Sequence, residues 1–426
     1  MGAGHSHSES PPRASAATTR VLWALVVGVL AAVIVGAAAT WPSSWDKLGS
    51  ESFLYEGATR LEAEVISFDE TTGESTVQVT TPGAEEERTM APAGVASLTF
   101  EPGDEVTVIE VDPAQPLIFS DFSRDPPIVA LLIVYVVLVL AVAWWRGLGA
   151  LVGLALAFGI VAFYTVPALF DGASPPVVGL VTSAGALFVL LYVAHGPNAR
   201  TTTAYLGTIA GLLFTAVIGT WAVTAAKIPG VPSEAEINLA FLDGRLSLQG
   251  LALCGLMIAG LGVLNDVTIT QASAVWELGK ARPDLGPWQL FTRGMTIGRD
   301  HIASTVYTIA FAYVGASLPL IMLIAVYDNP VSTAITSSEI AGEVVRTLVG
   351  SIGLVLAVPL TTAIGALIVG IGGEAEADEA GEAGVAGHDH AAHDAGDDAA
   401  RAAAAERAGL GAPERDTDPR EPGGAV

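Results

Sequence analysis

Ten polar residues stand on two otherwise apolar stretches, most of them at helical spacing. In the first, Thr270, Ser273 and Glu277 follow Asp266 at intervals of four, seven and eleven residues, which places all four on one helix face. In the second, Arg299, Asp300 and His301 open an apolar run. Ser304 then follows Asp300 at helical spacing, and Thr305 and Thr308 follow His301 in the same way. Ionisable groups on apolar helices either pair or line a path for ions, protons or small solutes. An imidazole with an ordinary pKa of about 6.5 can carry a proton near neutrality. These residues are therefore candidates for a substrate or ion pathway, with the two stripes facing one another. The alternatives are structural. Asp266 can pair with Arg293 or Arg299 and close a bundle, and His301 can serve as a hydrogen-bonding helix end. Asp266 falls about 20 residues into its span, near the membrane interface, where snorkelling reduces the penalty on a charge.

The elements that must position these side chains are membrane helices. The 426-residue chain is 51% hydrophobic and only 15% charged, against roughly 25% charged in soluble domains. Eight runs reach the length of about 20 apolar residues that a bilayer crossing needs. They lie near 21–40, 128–145, 148–169, 176–195, 202–226, 246–266, 301–326 and 346–371. Backbone groups in lipid must bond within their own segment, so helices are expected. Basic residues orient the set. Arg13, Arg20, Arg146, Arg200, Lys280, Arg282, Arg293 and Arg299 all fall on one side of an eight-crossing chain. Both termini are then cytoplasmic and residues 41–126 extracytoplasmic, in the cell membrane. The first span also resembles a secretory signal, with Ala37, Ala38 and Ala39 after its apolar core, but that core exceeds the usual length. Pro167, Pro319 and Pro359 are expected to kink or break their helices. Gly149 with Gly153, and Gly207 with Gly211, suit close helix packing.

The net charge of -25 is unevenly placed: residues 41–126 hold 18 acidic and 4 basic residues, and 373–426 hold 14 and 4. Such acidity argues against a nucleic-acid partner. Within 60–111, Thr76–Thr80 and Asp104–Val111 alternate as strands do, and Glu70–Gly73 follows Val65–Phe68 as a hairpin turn. The pattern predicts a small extracytoplasmic β-barrel of the oligonucleotide- and oligosaccharide-binding type, with Glu85, Glu86 and Glu87 as a solvated loop. The tail carries His388, His390 and His393 beside Asp389 and Asp394, a composition that suits loose capture of a divalent metal or plain solubility. Its Ala, Gly, Asp and Glu content predicts disorder. The His195-Gly-Pro-Asn-Ala-Arg200 run reads as a turn with a helix cap. The expected fold class is mainly α: a polytopic bundle with a small β domain. Its parts are an N-terminal segment 1–20, an anchor 21–40, the acidic β domain 41–126, a seven-helix membrane domain 127–372 and the tail 373–426.

Three runs are distinctive: His195-Gly-Pro-Asn-Ala-Arg-Thr-Thr-Thr-Ala-Tyr-Leu-Gly-Thr208, Gly262-Val-Leu-Asn-Asp-Val-Thr-Ile-Thr-Gln-Ala-Ser273 and Gly294-Met-Thr-Ile-Gly-Arg-Asp300. The last is followed by Ala310-Phe-Ala-Tyr-Val-Gly315 and Leu318-Pro319. Together they resemble the YibE/F-like family of bacterial multipass membrane proteins over approximately 50–371. The resemblance implies the helical architecture and marks Asp266, Arg299 and Asp300; it supplies no substrate. No His-Glu-x-x-His helix and no Gly-x-Ser-x-Gly elbow occurs, so catalysis and cofactors are not expected. The partners to expect are the lipid bilayer, a small solute or ion, and a second copy or another membrane protein. A permease or transport component is the leading expectation. A scaffold or sensor with an extracytoplasmic binding domain is the alternative.

Overall fold

Long uncharged runs leave the backbone no partner but itself, and the chain accordingly folds mainly as helix. The structure, a computed structural model, describes residues 16–43, 45, 57–94, 98–228, 246–326, 336 and 340–370. Helix α1 spans Ala16–Ala39. Five strands follow: β1 Thr59–Phe68, β2 Ser75–Val79, β3 Glu87–Met90, β4 Glu105–Glu110 and β5 Ile118–Phe122. Helix α2 (Asp125–Ile160) continues through a π-helical turn at Val161–Thr165 into α3 (Val166–Phe170). Helices α4 (Pro175–His195), α5 (Ala199–Ala225) and α6 (Leu248–Ala281) come next. Helix α7 covers Pro287–Ala316, α8 Leu318–Val326 and α9 Ile340–Gly370. The tail histidines His388, His390 and His393 lie outside the described residues.

Among the described residues, six helices are long and apolar enough to cross a membrane: Thr18–Ala39, Asp125–Phe170, α4, α5, α6 and α9. The eight runs read from the sequence map onto these six and onto α7–α8. The runs 128–145 and 148–169 are two parts of the 46-residue stretch Asp125–Phe170. At 1.5 Å per residue that stretch measures about 69 Å, more than twice the hydrocarbon thickness. It is not straight. Trp144 has φ 52° and ψ -132°, and a Cβ on Gly147 would lie 2.7 Å from the carbonyl oxygen of Val139. In a straight helix a separation of eight residues is about 12 Å, so the chain doubles back at Trp144. The run 301–326 is broken. Helix α7 begins fourteen residues earlier, at Pro287, and ends at Ala316; α8 restarts with Pro319 in its first turn. Arg293, Arg299, Asp300 and His301 make α7 too polar to count with the six.

Burial places the core around α4, α5 and α6. Ala157 of α2, Leu187 and Leu191 of α4, Ala204 and Tyr205 of α5, and Leu261 and Ala272 of α6 pack together with Val26 of α1. Leu22 of α1 packs with Val275, Trp276, Leu290 and Ala366. Helix α1 is thus part of the bundle. Beyond it, Thr40 Oγ1 and the Tyr164 hydroxyl stand 2.5 Å apart, and the Ser43 backbone and hydroxyl both donate to Asp171. Gly149 and Gly153 bring α2 against the α4 backbone, where a Cβ on Gly149 would sit 2.9 Å from the Val193 oxygen.

The β domain is an antiparallel sheet of order β3-β2-β1-β4-β5. Alternation buries Leu61, Ala63 and Val65 of β1, Val77 and Val79 of β2, and Val106 and Val108 of β4. Phe100 fills the open end against Phe68, Phe119 and Phe122, at ring separations of 5.0–5.6 Å. Two of the strands, β2 and β4, stand where alternation places them. Glu87 opens β3 instead of belonging to a loop: the neighbouring Arg88 is nearly buried and bonds Glu110 at 2.5 Å and the Pro113 and Gln115 carbonyls at 2.9 Å. The edge strands approach at one parallel bridge, Met90 with Leu117, carried by Ala91 N–H to Leu117 O at 2.8 Å and Leu117 N–H to Thr89 O at 2.9 Å. The sheet is otherwise open there.

Candidate functional site

Polar groups inside a helix bundle must find partners or remain as a cost, so the buried ones mark where the bundle departs from plain packing. On α5, Thr201, Thr202, Thr203, Thr208 and Thr215 are fully buried; so are Thr268 on α6 and Thr361 and Thr362 on α9, with Gln271 nearly so. Thr208 and Thr268 hydroxyls lie 2.5 Å apart across the α5–α6 contact. One turn along α6, the Gln271 amide donates to the Gly294 carbonyl of α7 and to Thr362 Oγ1 of α9, both at 2.8 Å. Gln271 therefore ties three helices at one point.

Small residues make this convergence possible. A Cβ on Gly294 would meet Thr362 Cγ2 at 2.9 Å, and one on Gly298 would meet Val358 Cγ1 at 2.7 Å and Gln271 Nε2 at 3.2 Å. Gly207 faces Thr361, and Gly353 faces Thr215. The Gly294-x-x-x-Gly298 spacing is thus the seat of α7 on α6 and α9. Most of the threonines spend their hydroxyls on the carbonyl four residues earlier, as Thr208, Thr215, Thr361 and Thr362 do at 2.7–2.9 Å. Among the described residues four buried side-chain atoms of the helices have no partner, and Ser183 Oγ and Thr201 Oγ1 are two of them. His301 Nε2, one turn beyond Gly298, and Asn265 Oδ1, one turn before Thr268, are buried without a hydrogen bond.

The two stripes read from the sequence lie on other faces. Asp266, Thr270 and Glu277 are exposed, and Ser273 is half-buried. Thr270 Oγ1 donates to the Asp266 backbone at 2.6 Å, Ser273 Oγ to Ile269 O at 2.7 Å, and Glu277 pairs with Lys280 at 2.8 Å. Arg299, Asp300 and Ser304 are exposed, and His301 alone of its stripe turns a nitrogen inward. Among the described residues no hydrogen bond or ion pair joins the two stripes, and neither Arg293 nor Arg299 pairs with Asp266. The reason is angular. Thr268 and Gln271 occupy the α6 face turned to α5, α7 and α9, and Asp266 lies about 140° around the helix from Gln271 at 100° per residue. Sequence spacing identified which polar residues share a face; it did not reveal which face is inside. Gly294 and Gly298, facing Gln271, carried that information.

The turn between α4 and α5 is a cap. Asn198 Oδ1 accepts from Thr201 N–H at 2.9 Å, and its Nδ2 donates to the His195 and Gly196 carbonyls. Gly196 takes φ 74°, where a side chain is disfavoured. At the other cytoplasm-side joint expected from the sequence, Arg282 grips Asp284 through two bonds of 2.7 and 2.6 Å and holds its carboxyl down at about 2. Among the described residues no three His, Cys, Asp or Glu side chains gather as metal ligands.

No curated protein and no solved structure matches this chain. The family model of the YibE/F-like proteins matches residues 131–371, from the first half of α2 to the end of α9. The match takes in Gln271, the Gly294–Gly298 seat and both exposed stripes. It starts after the β domain, which the resemblance read from the sequence had included. With more than half of its 426 residues matched, the chain belongs to the YibE/F-like family.

Proposed function

We propose that this multipass protein acts in the cell membrane as a permease or transport component, with its pathway where α6 and α7 meet α9. The observation that carries the reading is the buried polar line of Thr208, Thr268, Gln271 and Thr362, beside the unpartnered Nε2 of His301 and Oδ1 of Asn265. Orphaned buried groups are costly and rare, and a passing ion, proton or small polar solute is a partner that would relieve them. The exposed Asp266, Thr270, Glu277, Arg299, Asp300 and Ser304, with half-buried Ser273, would form the approach to that line. The reading assigns no catalytic residue and no cofactor.

In this reading the chain crosses eight times: α1, the two arms of the doubled-back Asp125–Phe170 stretch, α4, α5, α6, α7 with α8, and α9. Both termini are cytoplasmic and 41–126 lie outside. The burial of Leu22 and Val26 in the bundle supports a retained first helix. The strand order together with the β3–β5 approach supports an oligonucleotide- and oligosaccharide-binding type of β domain.

Proteoliposomes test the transport reading. Flux of protons, and then of a panel of monovalent ions and small polar solutes, is measured for the native chain and for His301→Phe. The expected outcome is a flux above empty vesicles that H301F abolishes while its thermal unfolding is unchanged. Flux equal to that of empty vesicles across the panel, or full flux through H301F, would sink the reading. The second reading, a sensor, is favoured by one observation: only Ser123 and Arg124 separate β5 from α2. Cross-linking in native membranes that captures a dedicated partner, with no flux, would select it.

A further inference from the structure

Three basic side chains meet at one end of the bundle. A Cβ on Gly149 would lie 2.9 Å from the Val193 oxygen and 3.2 Å from Ala194 Cα, so the second arm of α2 starts against the last turn of α4. Gly153 faces Leu190, so the two run antiparallel. Arg146, one turn before Gly149, is therefore level with the turn that joins α4 to α5. His195 closes α4, and Arg200 stands in the first turn of α5. The charges of Arg146 and Arg200 both act on the His195 imidazole, so both guanidiniums stand within electrostatic reach of it. Helix α4 has 21 residues, about 30 Å at the usual rise, which matches the hydrocarbon thickness of a bilayer. Its end at His195 thus lies at a membrane boundary.

Nothing on the protein offsets this charge. Arg146 is exposed and Arg200 half-buried, and among the described residues neither makes a hydrogen bond or ion pair. By contrast, Arg88, Arg124, Arg282 and Arg346 each hold a carboxylate at 2.5–3.0 Å. Helix α5, 27 residues long, turns its N-terminus to the same place. Asn198 caps Thr201 N–H, but among the described residues the N–H groups of Ala199 and Arg200 have no acceptor. Like charges gathered without an acid repel one another, and an anion removes that cost. The surroundings are those of lipid. Trp144 and Trp145, next to Arg146, are 70% and 74% exposed, and indoles favour the headgroup level. From there the first arm of α2 leads into the membrane with exposed apolar residues such as Leu138 and Val142.

We infer that the rim formed by Arg146, His195 and Arg200 binds the phosphate of an anionic phospholipid, whose acyl chains lie along the first arm of α2. Guanidiniums and free N–H groups at a helix start are the donors that phosphate takes. A lipid fits this place better than a soluble phosphate, because the rim sits at the membrane boundary between exposed indoles and an apolar wall. In the orientation proposed above the rim faces the cytoplasmic leaflet, where anionic lipid attracts basic groups. Lipid binding here and transport are independent: neither needs the other.

Titration of the full chain with phosphatidylglycerol, in micelles that also hold phosphatidylcholine, tests it. Retained lipid is counted by native mass spectrometry, and thermal unfolding is followed in parallel. The native chain is expected to retain phosphatidylglycerol over phosphatidylcholine and to unfold at a higher temperature with it. Arg146→Gln with Arg200→Gln should weaken that binding about 30-fold, the effect of two charges near a membrane surface. Where the pair fails to fold, Arg146→Gln alone, on the exposed bend, should weaken it about 5-fold. Arg146→Lys with Arg200→Lys keeps the charge and should keep the preference. Arg293→Gln with Arg299→Gln removes the same charge from α7 and should leave the preference unchanged. Inorganic phosphate and glycerol phosphate should produce no shift in unfolding at the same concentration. No preference for phosphatidylglycerol, a preference that R146Q leaves intact, or equal loss from the α7 pair would overturn the inference. An equal shift with inorganic phosphate would make the occupant a soluble anion and overturn it too. Retained phosphatidylglycerol without measurable flux would support the lipid site while removing the transport reading.

Discussion

Gln271 is the side chain on which the most structure converges. Its amide satisfies a carbonyl on α7 and a hydroxyl on α9, and one turn away the Thr208–Thr268 hydroxyl pair joins α5 to α6. Gln271→Leu keeps the volume and removes the donor. The Gly294 carbonyl retains its place in the helix, but the seat loses two bonds, each worth about 0.5–1.5 kcal/mol net. A lowered apparent Tm in detergent is expected, with Gln271→Glu lowering it further because a carboxylate cannot donate to the Gly294 oxygen. A Q271L chain as stable as the native one would show the amide to be a bystander.

Asp284 makes a pH prediction of opposite character. It is fully exposed, and its carboxyl is lowered from 3.8 to about 2, first by its hydrogen bond to Arg282. A group depressed in the folded state contributes stability above its unfolded value near 3.8, and that contribution is lost as pH falls through about 2. Carboxyl NMR should place its midpoint near 2 in the native chain and near the ordinary carboxylate range in Arg282→Ala. Equal midpoints would dissolve the pair.

The doubled-back α2 is the element the sequence conceals best. Its two apolar runs were legible, and so was the loop between them, marked by Arg146. The sharpness of the bend was not, because the residue at φ 52° is Trp144, exposed and bulky, where a glycine would have announced the turn. An L side chain held in such a sparsely populated region costs about 1–3 kcal/mol. Trp144→Gly should therefore unfold at a higher temperature than Trp144→Val, whose β-branch aggravates the conformation; the reverse order would place the bend elsewhere. The β domain shows the same division. Strands β2 and β4 carry alternating valines and were readable. Strand β3 is written Glu-Arg-Thr-Met, and only the burial of Arg88 between Glu110 and two carbonyls makes it an edge. Strand β5, Ile118–Phe122, lacks alternation altogether. The threonines after Asn198 read as a helix opening, and they are; their burial follows from Gly207, Gly211 and α9, which lie far along the chain.

At the scale of the molecule, family membership, apolar helices and a small acidic sheet describe a membrane protein with one compact appendage. The two ends of that appendage are joined to the membrane part differently. Between Ser43, fixed to Asp171, and β1 run fifteen residues; between β5 and α2 run two. The short joint is itself braced: Ser123 N–H donates to Glu105 O at 2.7 Å, and Arg124 pairs with Asp121 at 2.6 Å. The pair lowers the Asp121 carboxyl from its ordinary value, so the brace stays charged at neutral pH. The sheet and α2 should then turn as one piece. A spin label on β4 and another on the first arm of α2 should keep a narrow distance distribution, and two glycines inserted after Ser123 should broaden it. A distribution already broad in the native chain would mean a loose joint. With a stiff one, the first arm of α2 is a rudder: whatever docks on the sheet and tilts it also swings an apolar rod, and the pivot at Trp144 hands that swing on to the arm that lies along α4.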